Sequence, residues 1–212
     1  MLTVKQILQK KISHNKNFEF ANFLVPEATQ LLQLAEGMIA GHDSFRRLLC
    51  ELFLTDGLEI CLKTLVLEMH LARTQGQLKG SNPASRYRHF LSSLSSQQER
   101  ERIHKKYPEL ERLLKVCQRR TLQFVTEVFT HRREEQGQLA RQFGFSNALS
   151  RIESTGSDSH RGGRRVLLFE DCKGQKLIYK PRPLALDKAF HDFLTWIQRQ
   201  DPRFDLMGFD IL

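Results

Sequence analysis

The chain has four cysteines, Cys50, Cys61, Cys117 and Cys172, and they stand far apart, with no CxxC and no Cys/His cluster at metal-ligand spacing. That scatter argues against a zinc module and predicts a reduced, cytoplasmic protein. The start, MLTVKQILQKKISHNKNF, lacks the apolar core and small-residue cleavage site of a secretory signal, and no apolar run approaches the length of a membrane span. No internal repeat of fixed period occurs. The glycines match neither GxxxxGK[ST] nor GxGxxG, so no standard nucleotide motif is present.

What is present is an apolar fraction of 40% over 212 residues, enough for a buried core in one or two domains. Lys and Arg number 33 against 24 Asp and Glu, a formal net charge of +9. This excess predicts attraction to an anion, whether nucleotide, nucleic acid, acidic or phosphorylated peptide, or membrane surface, and charge alone does not choose among them.

From about Pro26 to Phe143 apolar residues recur at three- and four-residue steps, as in Leu48, Leu49, Leu52, Phe53 and then Leu58, Cys61, Leu62, Leu65. Asp43 and Ser44 are expected to cap a long helix running to about Gln75, which GQLKGSNPAS ends. A second helical block is expected from near Ser85, broken at Tyr107 and Pro108. The mixed-sign stretch HRREEQGQ within it reads as a solvated face.

After Gly144 the texture changes. RRVLLFED and QKLIYKPR lie on either side of Cys172, Lys173 and Gly174 and predict a β-hairpin with strands over Arg164–Phe169 and through Lys180. Asp187 is expected to cap an amphipathic helix whose face is Phe190, Phe193, Leu194 and Ile197. The chain closes on RFDLMGFDIL, strand-like in alternation, and is expected to stop inside a domain. The fold expected is α+β, mostly α-helical, with a helical region over 1–146 and a hairpin and helix over 147–212.

The segment TGSDSHRGGRRV suggests a site. Glycines let backbone amides approach a phosphate, and a lysine on a following strand can neutralise it. Gly156, Gly162 and Gly163 with Arg164 and Lys180 fit that order. Against this, Lys180 and Arg182 can be solvated residues of an edge strand blunted by Pro181 and Pro183. Asp158 and His160, two positions apart on the loop, can serve as proton acceptor and donor on one ligand, or as a turn cap and a surface histidine. Arg151, Arg161, Arg164 and Arg165 can receive phosphate or solvate the loop. His89, His104, His131 and His191 receive no role.

The order and spacing of DSHRGGRRV, a hairpin and LIYKPRPLALDKAF, preceded by SRYRHFLSSL and HKKYPELERLL, resemble the dehydratase region of class II lanthipeptide synthetases, the type 2 lantibiotic biosynthesis proteins. The resemblance spans nearly the whole chain and is strongest from about Ser85 to Phe190. It implies the first part of a kinase-like lobe decorated by helices, and an enzyme that uses ATP and Mg²⁺ to phosphorylate Ser and Thr of a ribosomally made precursor peptide. Elimination of the phosphate then leaves dehydroamino acids.

It further implies that Lys180 is the nucleotide-phosphate lysine, with Gly162, Gly163 and Arg164 in the phosphate loop. Asp158 and His160 would act on the transferred or departing phosphate. The implied partner is the precursor with its leader, with no nucleic acid and no integral membrane segment.

Two departures stand out. Ser157 replaces the glycine that the family places before the aspartate, and Arg161 follows the histidine. The sequence also stops before a kinase catalytic-loop Asp and Asn, a metal-binding Asp or any cyclase zinc ligand, so the expectation is an N-terminal fragment inactive alone. Two rivals from other classes are a non-catalytic helical module that holds an acidic leader peptide and, from charge alone, a nucleic-acid binder.

Overall fold

The structure is a computed structural model and describes residues 3–156, 162–201, 203–204 and 211. Among these the architecture is mostly α with a small antiparallel sheet, as the periodicity predicted. The chain divides into two compact units, Met1–Arg133 and Glu134–Leu212.

In the first unit, α1 (Val4–His14) and a 3-10 helix (Lys16–Leu24) lead into α2 (Val25–Ile39) and the long α3 (Asp43–Thr74). The 3-10 helix, α1 and α2 all pack on α3. Phe23, Leu24, Leu31, Ile39, Leu49, Phe53, Leu54 and Leu65 are almost fully buried there. Each such side chain contributes roughly 1.5–3 kcal/mol of transfer free energy. Asp43 is the first residue of α3 and not its cap. His42 holds the cap position without a side-chain hydrogen bond, while the Asp43 carboxylate sits in the first turn, where the helix dipole favours it.

Asn82 caps α4 (Pro83–Ser93) in a reciprocal box with Ser85, whose amide donates to Asn82 Oδ1 at 2.8 Å. The second helical block then breaks at Ser95 and Ser96, a break the periodicity did not reveal. Ser96 accepts from the Glu99 amide at the start of α5 (Gln97–Lys106). Tyr107 is the C-cap of α5 and Pro108 opens α6 (Pro108–Phe143). Early in α3 and late in this unit, Phe45 and Phe129 meet edge to face at 5.0 Å.

In the second unit the sheet has the order β1-β2-β3, with β1 Leu149–Ser154, β2 Leu167–Asp171 and β3 Lys176–Tyr179. The hairpin is where the sequence places it, but β2 starts at Leu167, not Arg164, and β3 ends at Tyr179, one residue before Lys180. Pro181 explains the early end, since it has no N–H to continue a ladder. β1 was not expected: of LSRIES only Ile152 is buried, too little alternation to read. Among the described residues, Leu139, Phe145, Ile152, Leu167 and Phe169 are the buried apolar residues of this unit.

α7 (Ala185–Gln200) follows. Leu184, not Asp187, is its cap residue and makes no side-chain cap bond. None of its residues is buried. Leu186, Phe190, Phe193 and Trp196 are more than half exposed, so the expected apolar face exists but is not packed as a core face. Most of RFDLMGFDIL lies outside the described residues.

Candidate functional site

The register of the sheet decides what shares a site. Leu167 pairs with Ser154 on one side and with Tyr179 on the other. The glycine loop runs from Ser154 to Leu167 and the lysine segment leaves from Tyr179, so both emerge at one end of the sheet, on strands roughly 5 Å apart.

That end is closed locally by Thr155, whose amide donates to the Val166 carbonyl at 3.2 Å. Gly162 and Gly163 have φ of 89° and 98°, left-handed values that L side chains resist, and an added Cβ would meet nothing within 4 Å at either. The backbone there is open to an approaching group. Gly162, Gly163 and Arg164 lie on the segment that enters β2, whereas Asp158 and His160 lie outside the described residues.

The opposite end of the hairpin is a fixed turn. Asp171, almost fully buried, accepts from the amides of Ser146, Lys173 and Gln175 at 2.8, 2.8 and 2.9 Å. Burial acts to raise its pKa, and these backbone donors outweigh burial and lower it. Gly174, at φ 81°, supplies the left-handed residue that a three-residue hairpin loop requires. The hairpin therefore projects Lys180 from a defined support.

Beyond β3 the chain turns sharply at Pro181: the Arg182 amide donates to the Lys180 carbonyl at 2.8 Å, closing a three-residue turn. Both cationic side chains then reach Asp187 in the first turn of α7. Arg182 grips the carboxylate with two bonds, Nη1 to Oδ2 at 2.7 Å and Nη2 to Oδ1 at 2.8 Å. Lys180 Nζ stands 3.4 Å from Oδ1. The Arg182 hydrogen bonds lead the effects that hold the Asp187 carboxyl below its ordinary range.

Sequence reasoning missed this triad, because it read Asp187 as a helix cap. A carboxylate seven residues after the lysine in KPRPLALD was the available signal.

Carboxylates already engaged in this way are poor ligands for a divalent ion. Asp171 is taken by three amides and Asp187 by two cations, and no group of three His, Cys, Asp or Glu able to hold a metal occurs among the described residues. Lys180 and the open glycine backbone fit phosphate oxygens. Asp171 and Asp187 are thus already engaged and are not offered as ligands to an added cation. No described helix is long and apolar enough to cross a membrane.

No curated protein matches the sequence. Residues 107–212, which carry the sheet, the glycine loop and the Lys180 segment, match a family described as Domain of unknown function (DUF4135). That match covers half of the 212 residues, and the chain belongs to this family.

Proposed function

We propose that the chain supplies the helical region and the phosphate-contacting start of a kinase-like lobe in a lanthipeptide dehydratase. In that reading Lys180 neutralises a nucleotide phosphate, and the backbone at Gly162 and Gly163, beside Arg164, receives its oxygens. The γ-phosphoryl group of ATP passes to the hydroxyl oxygen of a Ser or Thr in the precursor peptide, whose proton is lost to a base. A base then removes the α-proton, the electron pair forms the Cα–Cβ double bond, and the phosphate departs with its oxygen.

Asp158 and His160 are assigned to this second step, one taking a proton and the other assisting the leaving phosphate. Mg²⁺, which neutralises charge on the phosphates in this chemistry, is assigned to no described residue.

The observation that supports the reading is the register, which puts the strand end entered from Gly162 and Gly163 beside the strand end that leads to Lys180. The family match over the same segment is consistent with it. Incubation of a complete dehydratase that carries this chain with labelled ATP and its precursor peptide tests the reading. Phosphate on Ser or Thr is the expected result.

A second reading, a non-catalytic holder of an acidic leader peptide, is favoured by the exposed apolar face of α7 in a chain of net charge +9. Peptide binding that is equal with and without ATP, with no phosphate transferred, would select it.

A further inference from the structure

The three side chains at the base of α7 are unequal partners. A carboxylate has two oxygens, and Arg182 occupies both in a parallel fork, the strongest geometry an ion pair of this kind adopts. Lys180, with three donors on a flexible stem, is left with a longer contact to one oxygen. The turn at Pro181 fixes which cation wins, since it throws both side chains to the same carboxylate while the guanidinium fork matches it and the ammonium does not.

The geometry points to Arg182 as a positioning residue: by taking both Asp187 oxygens in a two-bond grip, it limits the Lys180 ammonium to one 3.4 Å contact there and leaves its other donors to an anion. Without Arg182, Lys180 would be left as the counter-ion of Asp187 at full strength, since it already makes a 3.4 Å ion pair there. Capture would cost Lys180 some of the donors and the net positive field that a phosphate needs. The inference rests on the reading of Lys180 as the phosphate-contacting lysine and adds a regulator of its availability.

Two other roles are open to Arg182, direct contact with the phosphate and simple stapling of the turn, and neither makes Lys180 depend on it through Asp187. The dependence is measurable without any ligand. The test is trace acylation of lysine amines on the 212-residue chain at fixed pH, read by peptide mass spectrometry, with the exposed hairpin-turn Lys173 as internal reference. An amine held by a carboxylate stays protonated longer and reacts more slowly.

In Arg182→Gln the Lys180 rate is expected to fall about two- to fivefold relative to Lys173, the range that an exposed ion pair of up to about 1 kcal/mol gives. In the double variant Arg182→Gln/Asp187→Asn it returns at least to the wild-type rate, and in Asp187→Asn alone it rises by less than about twofold, because only one long contact is released. Arg182→Lys keeps the charge but loses the fork, so it should lower the rate in the same direction, covering the case in which Gln loosens the turn.

An unchanged or faster Lys180 rate in both Arg182 variants overturns the inference. So does a slowed rate that persists in the double variant, or a several-fold rise in Asp187→Asn, which would mean that Lys180 was already captured. Because no nucleotide is present, this outcome is separate from the phosphate-transfer assay that tests the proposed function.

Discussion

The Tyr107 hydroxyl donates to Glu68 Oε1 at 2.6 Å, tying the break between α5 and α6 to the C-terminal part of α3. Glu68 is 2% exposed and also accepts from Lys106 Nζ and Arg102 Nη2, each at 2.6 Å. Burial alone would raise its pKa. The bonds from Lys106, Tyr107 and Arg102 outweigh it and hold the carboxyl down at about 2, against an ordinary 4.5.

A carboxyl depressed in the folded state stabilises that state above its ordinary pKa and loses the contribution as pH falls toward the folded value. The interval from 4.5 to about 2 sets an upper bound of about 3 kcal/mol, reduced by solvent screening at the half-exposed Arg102 and Lys106. Urea unfolding should therefore show Glu68→Gln destabilised by about 1–3 kcal/mol at pH 7, with the difference from wild type shrinking between pH 4.5 and 2. A difference independent of pH would contradict the assigned cause.

Asp171 closes the hairpin turn through three backbone amides, so Asp171→Ala should speed hydrogen exchange at Ser146, Lys173 and Gln175 together. The same variant should leave exchange across β1 and β2 at Ile152 and Phe169 much less affected, because those residues are held by the ladder and by burial. Uniform acceleration would mean that the turn and the sheet open as one unit.

Trp196, the chain's single tryptophan, is 57% exposed and stacks on Phe193 with ring centroids 6.3 Å apart. Its fluorescence should show the red-shifted emission and ready acrylamide quenching of a solvated indole. A blue-shifted, quencher-resistant signal would show that the apolar face of α7 is covered in solution.

The sequence was legible where one physical signal dominated. The three- and four-residue recurrence through Leu48, Leu49, Leu52 and Phe53 marked α3, Pro108 marked the break before α6, and branched residues on either side of Lys173 and Gly174 marked the hairpin. It was weakest where a polar segment is ordered by its neighbours. β1 has only Leu149 and Ile152 as apolar residues, three apart and so out of step with strand alternation, and the break at Ser95 and Ser96 carries no proline or glycine.

The site followed the same rule. Order and spacing were enough to expect the segment after Gly162 and Gly163 and the segment of Lys180 on adjacent strands, because a hairpin's register is local. The engagement of Asp187 was not legible, because its choice between helix cap and ion-pair partner depends on the turn at Pro181, and the geometry of that turn depends on the fold. Asp158 and His160, lying outside the described residues, keep the roles that the resemblance implies as part of the proposal.

The most direct test of the central claim is the intact mass of the precursor peptide after reaction with ATP, Mg²⁺ and a complete dehydratase that carries this chain, in its wild-type and Lys180→Ala forms. The account predicts loss of water from Ser and Thr with the wild type, and neither water loss nor added phosphate with Lys180→Ala. Normal water loss with Lys180→Ala would contradict it.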